Sequence, residues 1–209
     1  MKRPLLVGIS GGSASGKSNL AHYLKNRLGK RASVFCMDWY YRDNSGVSRE
    51  KADKLNFDHP NAIETPLMLK HLRELMAGRS IEAPIYKYAI HGRLPETRHV
   101  EPAEVLIVDG IFVLVEPKVQ EIMDISVYID VPSDVRLLRR IRRDVKERHV
   151  DLEETLRVYE RCVRPMHMKF ISPAAARATF RWHQLDDDGF KDRVYNLIKK
   201  RIGEGRKPA

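Results

Sequence analysis

Pro4-Leu5-Leu6-Val7-Gly8-Ile9-Ser10-Gly11-Gly12-Ser13-Ala14-Ser15-Gly16-Lys17-Ser18 holds an apolar run, a loop of small residues and a lysine–serine pair. The first six residues lack the polar alternation of a half-exposed strand, so they predict a buried parallel strand. Gly11 to Ser18 fits G-x-x-x-x-G-K-[ST], and Leu20, Tyr23, Leu24, Arg27 and Leu28 follow at helical spacing up to Gly29. Strand, loop and helix in register make this a phosphate loop. Small residues let successive backbone N–H groups turn inward, and the helix adds its positive end. The reading assigns nucleotide phosphates to Gly11, Gly12, Ser13, Ala14, Ser15, Gly16, Lys17, Ser18 and Asn19. Lys17 reaches toward the β and γ phosphates, and the Ser18 hydroxyl is a Mg²⁺ ligand.

Outward from that loop, apolar strands alternate with helical patterns. Strands are expected at 32–37, 105–109, 125–130 and 177–185. Helices are expected at 65–77, with Thr65 as N-cap, and at 132–148, 152–170 and 189–202. Alternation of this kind predicts an α/β fold of the phosphate-loop NTPase type, a mainly parallel sheet flanked by helices. Residues 1–209 read as one domain. Residues 40–62 read mostly as loop, 79–104 as short extended pieces, and 203–209 as a frayed tail.

The 209 residues include 38 Lys and Arg against 28 Asp and Glu, a formal charge of +10. That balance favours an anionic partner without choosing between nucleic acid, membrane surface and a phosphorylated small molecule. The longest apolar run, Ile111 to Val115, is far short of the roughly 20 residues of a membrane span. With no signal-peptide pattern, the expected setting is cytoplasmic, without a membrane partner. Cys36 and Cys162 lack a CxxC or Cys/His neighbourhood and read as packing residues.

Two carboxylates stand where strands end. Asp38 follows the second strand, at the ligand face of an α/β sheet. It suits a proton acceptor or a holder of metal-bound water, with an ordinary turn or N-cap aspartate as the bland alternative. Asp109 ends Val105-Leu106-Ile107-Val108-Asp109, the Walker-B pattern of a metal-shell carboxylate; a turn residue beside Gly110 is its bland alternative. Seven basic residues lie between Arg136 and Arg148, five of them on one helical face. No aromatic residues interleave with them, so the reading favours a basic lid at about 132–150 over a nucleic-acid surface.

These residues, with Asp38-Trp39-Tyr40-Tyr41-Arg42, Asn56-Phe57-Asp58-His59-Pro60, Pro84-Ile85-Tyr86-Lys87-Tyr88-Ala89-Ile90-His91-Gly92-Arg93 and Arg139-Arg140-Ile141-Arg142-Arg143-Asp144, resemble the uridine kinase family. That family lies within the wider group that includes phosphoribulokinase. The resemblance runs from about residue 4 to 173 and implies an ATP- and Mg²⁺-dependent kinase of a ribonucleoside 5′-hydroxyl. Uridine and cytidine are the default substrates, in pyrimidine salvage, with no nucleic acid and with a homo-oligomer as the family implies. By the same resemblance Asp38 is the general base, and Ser18, Asp38 and Asp109 form the metal side. Arg139 and Arg143 clamp phosphate, with Arg148 as a further candidate. Asp58, helped by Arg140, takes the ribose hydroxyls, and Phe57, Tyr86, Tyr88 and His91 hold the base. The nucleoside-binding insertions fall at about 40–62 and 79–104.

The chain departs from the family where Arg and Gln are usual: it carries Val150 and Val158. It has Asp109 for the common Glu, and keeps little of the pattern over 174–188. A same-family kinase for another ribosyl or sugar alcohol is therefore the second reading. A nucleotide-binding regulatory protein without catalysis is the third, against which Lys17, Ser18 and Asp38 stand intact.

Overall fold

Side chains that alternate along a strand point to opposite faces of its sheet, so a strand buried on both faces needs two separate cores. The computed structural model, which describes residues 3–47, 55–183 and 189–203, has that form. Its strands are β1 (Leu5–Gly11), β2 (Ala32–Cys36), β3 (Ile81–Lys87), β4 (Gly92–Val100), β5 (Val105–Asp109), β6 (Ile125–Asp130) and β7 (Phe180–His183). Five of them form one sheet in the order β2-β5-β1-β6-β7, and every neighbouring pair is parallel. Leu6, Leu106, Val108, Phe35 and Tyr128 belong to the core on one face. Val7, Ile9, Ile107, Val127 and Ile129 belong to the core on the other.

The helices fill those two faces. α1 (Lys17–Leu28) buries Leu20, Leu24 and Leu28, and α5 (Phe190–Gly203) adds Phe190, Val194 and Ile198 to the same core. α2 (Thr65–Met76) buries Met68, Leu69, Leu72 and Leu75 on the opposite side. The expected N-cap at Thr65 is corrected. Glu64 occupies that position, its carbonyl accepting from the Met68 N–H at 3.1 Å, while Thr65 and Pro66 start the first turn. The Glu64 carboxylate is turned away to Arg93 Nη1 at 2.6 Å.

The stretch 79–104 forms an antiparallel hairpin, β3 with β4, separate from the main sheet. Its two prolines, Pro84 and Pro95, lie within the strands, which a two-stranded ribbon tolerates because each strand has a free edge. α3 (Ser133–Lys146) carries the basic run. α4 (Leu152–Val158) continues without a break through π turns at Tyr159–Val163 and His167–Ile171. A 3-10 turn at Ala175–Arg177 then leads to β7. Of the loop expected over 40–62, residues 48–54 lie outside the described residues, as do 184–188 and 204–209. No helix of the described residues is long and apolar enough to cross a membrane.

In this strand order β1 is central: the chain runs from β1 to β2 on one side, and from β5 it crosses past β1 to β6 and β7 on the other. Ligands of open α/β sheets bind outside the carboxyl ends of the strands at such a reversal.

Candidate active site

At that place β1 ends in the phosphate loop. Gly11 has φ +147°, a backbone conformation closed to side-chain-bearing residues, and a Cβ there would stand 2.6 Å from the Ile129 carbonyl oxygen. At Gly12 a Cβ would stand 2.5 Å from Nη1 of Arg136. That approach explains Arg136. It is buried, its Nε donating to the Val131 carbonyl at 3.0 Å, so it underlies the loop and has left the solvent-facing set of α3. Ala14 also has a left-handed backbone, φ 61°.

A cavity of about 1140 Å³ opens in front of the loop. Ser13, Ala14, Gly16, Lys17, Ser18 and Asn19 line it; Gly11, Gly12 and Ser15 are not among the lining residues. Lys17 donates through Nζ to the Gly12 carbonyl at 2.9 Å. Burial pushes its pKa down, while Asp109 and then Asp38 push it back up, so both carboxylates act on this ammonium. Ser18 Oγ donates to Asp109 Oδ2 at 2.6 Å. The Asp109 pKa is raised by burial and opposed by Lys17 and Ser18. Its other oxygen, Oδ1, is buried without a hydrogen-bond partner among the described residues. An orphaned carboxylate oxygen beside a serine hydroxyl and a lysine suits a hard cation, which takes oxygen ligands.

Asp38, in a 3-10 turn directly after β2, also lines the cavity, and its Oδ2 accepts from the Tyr88 hydroxyl at 2.8 Å. Tyr88 comes from the end of the β3–β4 hairpin. Its ring lies under the Arg148 guanidinium at 4.1 Å, and burial with the Asp38 charge pushes its hydroxyl far up. The hairpin is held here by Arg93, whose Nε donates to the Tyr41 carbonyl at 3.0 Å and whose Nη1 pairs with Glu64.

Phe57, Asp58 and His91 complete this side of the cavity. Phe57 and His91 stack with centroids 5.0 Å apart, His91 being held at φ +48°. Asp58 is buried, and that burial raises its pKa, against which the Arg140 charge pulls it down. Tyr86 is not among the lining side chains; it packs behind, against Tyr41 at 5.2 Å and Tyr88 at 5.3 Å. Its hydroxyl is buried without a hydrogen-bond partner among the described residues, and burial pushes its pKa up to about 12.

The opposite wall comes from α3 and α4. Arg139, Arg140, Arg143 and Arg148 all face the cavity. Arg140 Nη1 donates to Ser13 Oγ at 3.0 Å, tying α3 to the phosphate loop. Asp144 is buried among these arginines, with Arg143 Nε donating to its Oδ1 at 2.8 Å. Val150, Thr155, Val158 and Cys162 extend the wall, so both valines noted in the sequence face the cavity. Cys36 lines it too, its thiol pushed well above the ordinary value by burial, in keeping with a packing role. Among the described residues no cluster of three or more His, Cys, Asp or Glu forms a metal cage.

Sequence reasoning did not single out Tyr41, Asp144 or Thr155 as cavity residues. An acid at position 144 directly after Arg142-Arg143 was a usable signal; nothing local marked Thr155.

A family model described as "Phosphoribulokinase / Uridine kinase family" matches residues 6–187. The uridine kinase of Clostridium tetani (strain Massachusetts / E88) is 46% identical over 174 residues, covering 83% of each chain. That of Lactobacillus helveticus (strain DPC 4571) is 42% identical over 175 residues, again 83% of each. Among solved structures, phosphoribulokinase from Rhodobacter spheroides superposes with a TM-score of 0.62 at 14% identity, covering 85% of this chain and 69% of that one. D-glycerate 3-kinase from Cryptococcus neoformans gives a TM-score of 0.62 at 17% identity, covering 84% and 81%. The two structural likenesses carry the fold; the family match and the closer sequence relatives carry the ancestry, and the chain belongs to the phosphoribulokinase/uridine kinase family.

Proposed function

We propose that this protein transfers a phosphoryl group from ATP to the 5′-hydroxyl of a pyrimidine ribonucleoside, uridine or cytidine, in the cytoplasm. One observation carries the reading: a single cavity joins the phosphate loop to Asp38 and, beyond it, to a buried carboxylate and two stacked rings.

Each residue then has a task. The loop amides and Lys17 hold the triphosphate, and Lys17 leaves its carbonyl partner Gly12 for phosphate oxygen. Ser18 and Asp109, with Asp38 beside them, would hold Mg²⁺. When bound, Mg²⁺ neutralises charge building on the phosphates. Asp38 accepts the proton of the attacking hydroxyl. Its Oδ2 is fixed by Tyr88, so the carboxylate cannot rotate freely away from the acceptor. Asp58 takes the ribose diol, whose two hydroxyls are donors to its carboxylate, and the Arg140 charge opposes the upward pull that burial exerts on that group. The Phe57–His91 pair offers a flat apolar edge and one polar ring to the base. Arg139 and Arg143 meet the charge of the transferring phosphoryl group. In a site shielded from water such contacts are worth far more than on a surface.

The test is product analysis. Purified protein with ATP and Mg²⁺ is offered uridine, cytidine, ribose and simple sugar alcohols. Nucleoside 5′-monophosphate as the main product is the expected result. Phosphorylation of a sugar alcohol with both nucleosides untouched would overturn the reading.

A further inference from the structure

One carboxylate on α3 is shared by three arginines that reach different parts of the cavity. Asp144 Oδ2 pairs with Arg140 Nε at 3.1 Å; its Oδ1 pairs with Arg143 Nε at 2.8 Å and with Arg148 Nη1 at 3.4 Å. The side chain is about 5% exposed, against 13%, 28% and 29% for the three arginines. A buried charge of this kind is costly unless it is paired, and three guanidiniums repel one another unless an anion stands between them. Beyond the arginines the contacts continue in two directions. Arg140 hydrogen-bonds Ser13 of the phosphate loop at 3.0 Å. Arg148 lies 4.1 Å above the Tyr88 ring, and Tyr88 donates to Asp38 at 2.8 Å.

We propose that Asp144 is a positioning residue that couples the two halves of the cavity, so that nucleotide bound at the phosphate loop strengthens binding of the acceptor beside Asp38. Resting on the nucleoside kinase reading above, it adds to it a linkage between the two substrates. The physical reason is competition for one charge. Phosphate drawn to the loop recruits Arg140 and Arg143, because a multiply charged anion outbids a single shared carboxylate. Asp144 then has only Arg148 left to neutralise it, and that pair tightens. Arg148 fixed at Asp144 holds the Tyr88 ring by cation–π attraction, and the Tyr88 hydroxyl holds Asp38. Linkage is reciprocal, so bound acceptor strengthens nucleotide binding by the same factor.

The experiment titrates uridine calorimetrically into the full chain, with and without a non-hydrolysable ATP analogue and Mg²⁺. It is repeated with Asp144→Asn and Arg148→Gln. Asp144→Asn keeps the shape and removes the charge. Arg148→Gln cuts the acceptor arm at a partly exposed residue, so it reports even if the buried change prevents folding. In the unmodified protein the analogue should tighten uridine binding on the order of tenfold, within the usual span of allosteric coupling. In both variants that ratio should fall below about twofold. A purely structural loss would weaken the two ligands separately and leave the ratio unchanged. Full coupling in a folded variant, or none in the unmodified protein, would overturn the proposal while leaving the kinase reading intact. Failure of uridine to bind the unmodified protein under either condition, with the analogue still binding, would overturn the nucleoside reading and the acceptor arm together.

Discussion

The phosphate loop, through Ser13, Ala14 and Gly16 to Asn19, and the wall made by Phe57, Tyr88, His91 and Val158 line the same cavity, but they are built in opposite ways. The loop is one uninterrupted stretch between β1 and α1. Its shape follows from small residues, from Gly11 at φ +147° and from a helix start. The wall is assembled from residues up to about a hundred positions apart, held by Arg93 at the turn end of the hairpin and by α4 on the far side. A local device tolerates little change because each residue does one thing for the phosphates. An assembled wall can exchange members and alter what it accepts. The loop end should therefore carry the chemistry shared with relatives, and the wall the choice of acceptor.

The largest effects should come from the loop end. Lys17→Ala should lower kcat on the order of 10³-fold or more with an unchanged circular dichroism spectrum, since the ammonium serves phosphate oxygens and not the core. Near-normal steady-state turnover by that variant would break the comparison at its first term. Asp38→Asn comes next. It keeps the Tyr88 contact and loses proton acceptance, so kcat should fall about 10²-fold or more while nucleotide affinity, read by titration, changes little. A collapse of nucleotide binding would mean that Asp38 serves mainly the metal and that the base lies elsewhere.

At the wall the effects should be smaller and should change preference. Val150→Arg with Val158→Gln returns two polar groups to the cavity. Each added hydrogen bond contributes about 0.5–1.5 kcal/mol, so kcat/KM for uridine and cytidine should rise by several-fold to tens-fold. Equal, high values in both proteins would mean that other residues have taken over base recognition.

The smallest effect concerns the ground beneath the loop. His167, in a π turn, has a buried Nδ1 without a hydrogen-bond partner among the described residues; its pKa is pulled down to about 4 by burial and then by the Arg136 charge. The neutral ring is thus favoured in the folded state, and the unfolded ring protonates first as pH falls below 6.5. Stability is full above about pH 6.5 and is lost as pH drops toward 4. Allowing for partial exposure, the loss is about 1–2 kcal/mol, and His167→Gln should remove that part of the acid dependence. The check is the thermal midpoint at pH 7 and pH 4.5, where the variant should keep about 2–8 °C more of its neutral-pH value. Identical pH slopes would refute the assignment.

The parallel sheet, the phosphate loop and the two carboxylates at strand ends are legible in the chain read alone. These are written in short-range terms: apolar runs, helical spacing, small residues before a lysine, an acid closing a strand. Phe57, Asp58 and His91 were legible only as members of a motif, since nothing in their own neighbours says that they meet Asp38. Tertiary structure alone decided that 79–104 forms a hairpin, that its Tyr88 hydroxyl ends 2.8 Å from Asp38, and that Tyr86 lies behind the wall. It also decided that Glu64 caps α2, and that the basic helix divides its charges. Arg136 goes beneath Gly12, while Arg140, Arg143 and Arg148 gather on Asp144. Periodicity along a chain reports which face of an element is apolar. It carries no information about which distant groups come to share one carboxylate, because that depends on how separate elements pack and on how the folded interior balances its charges.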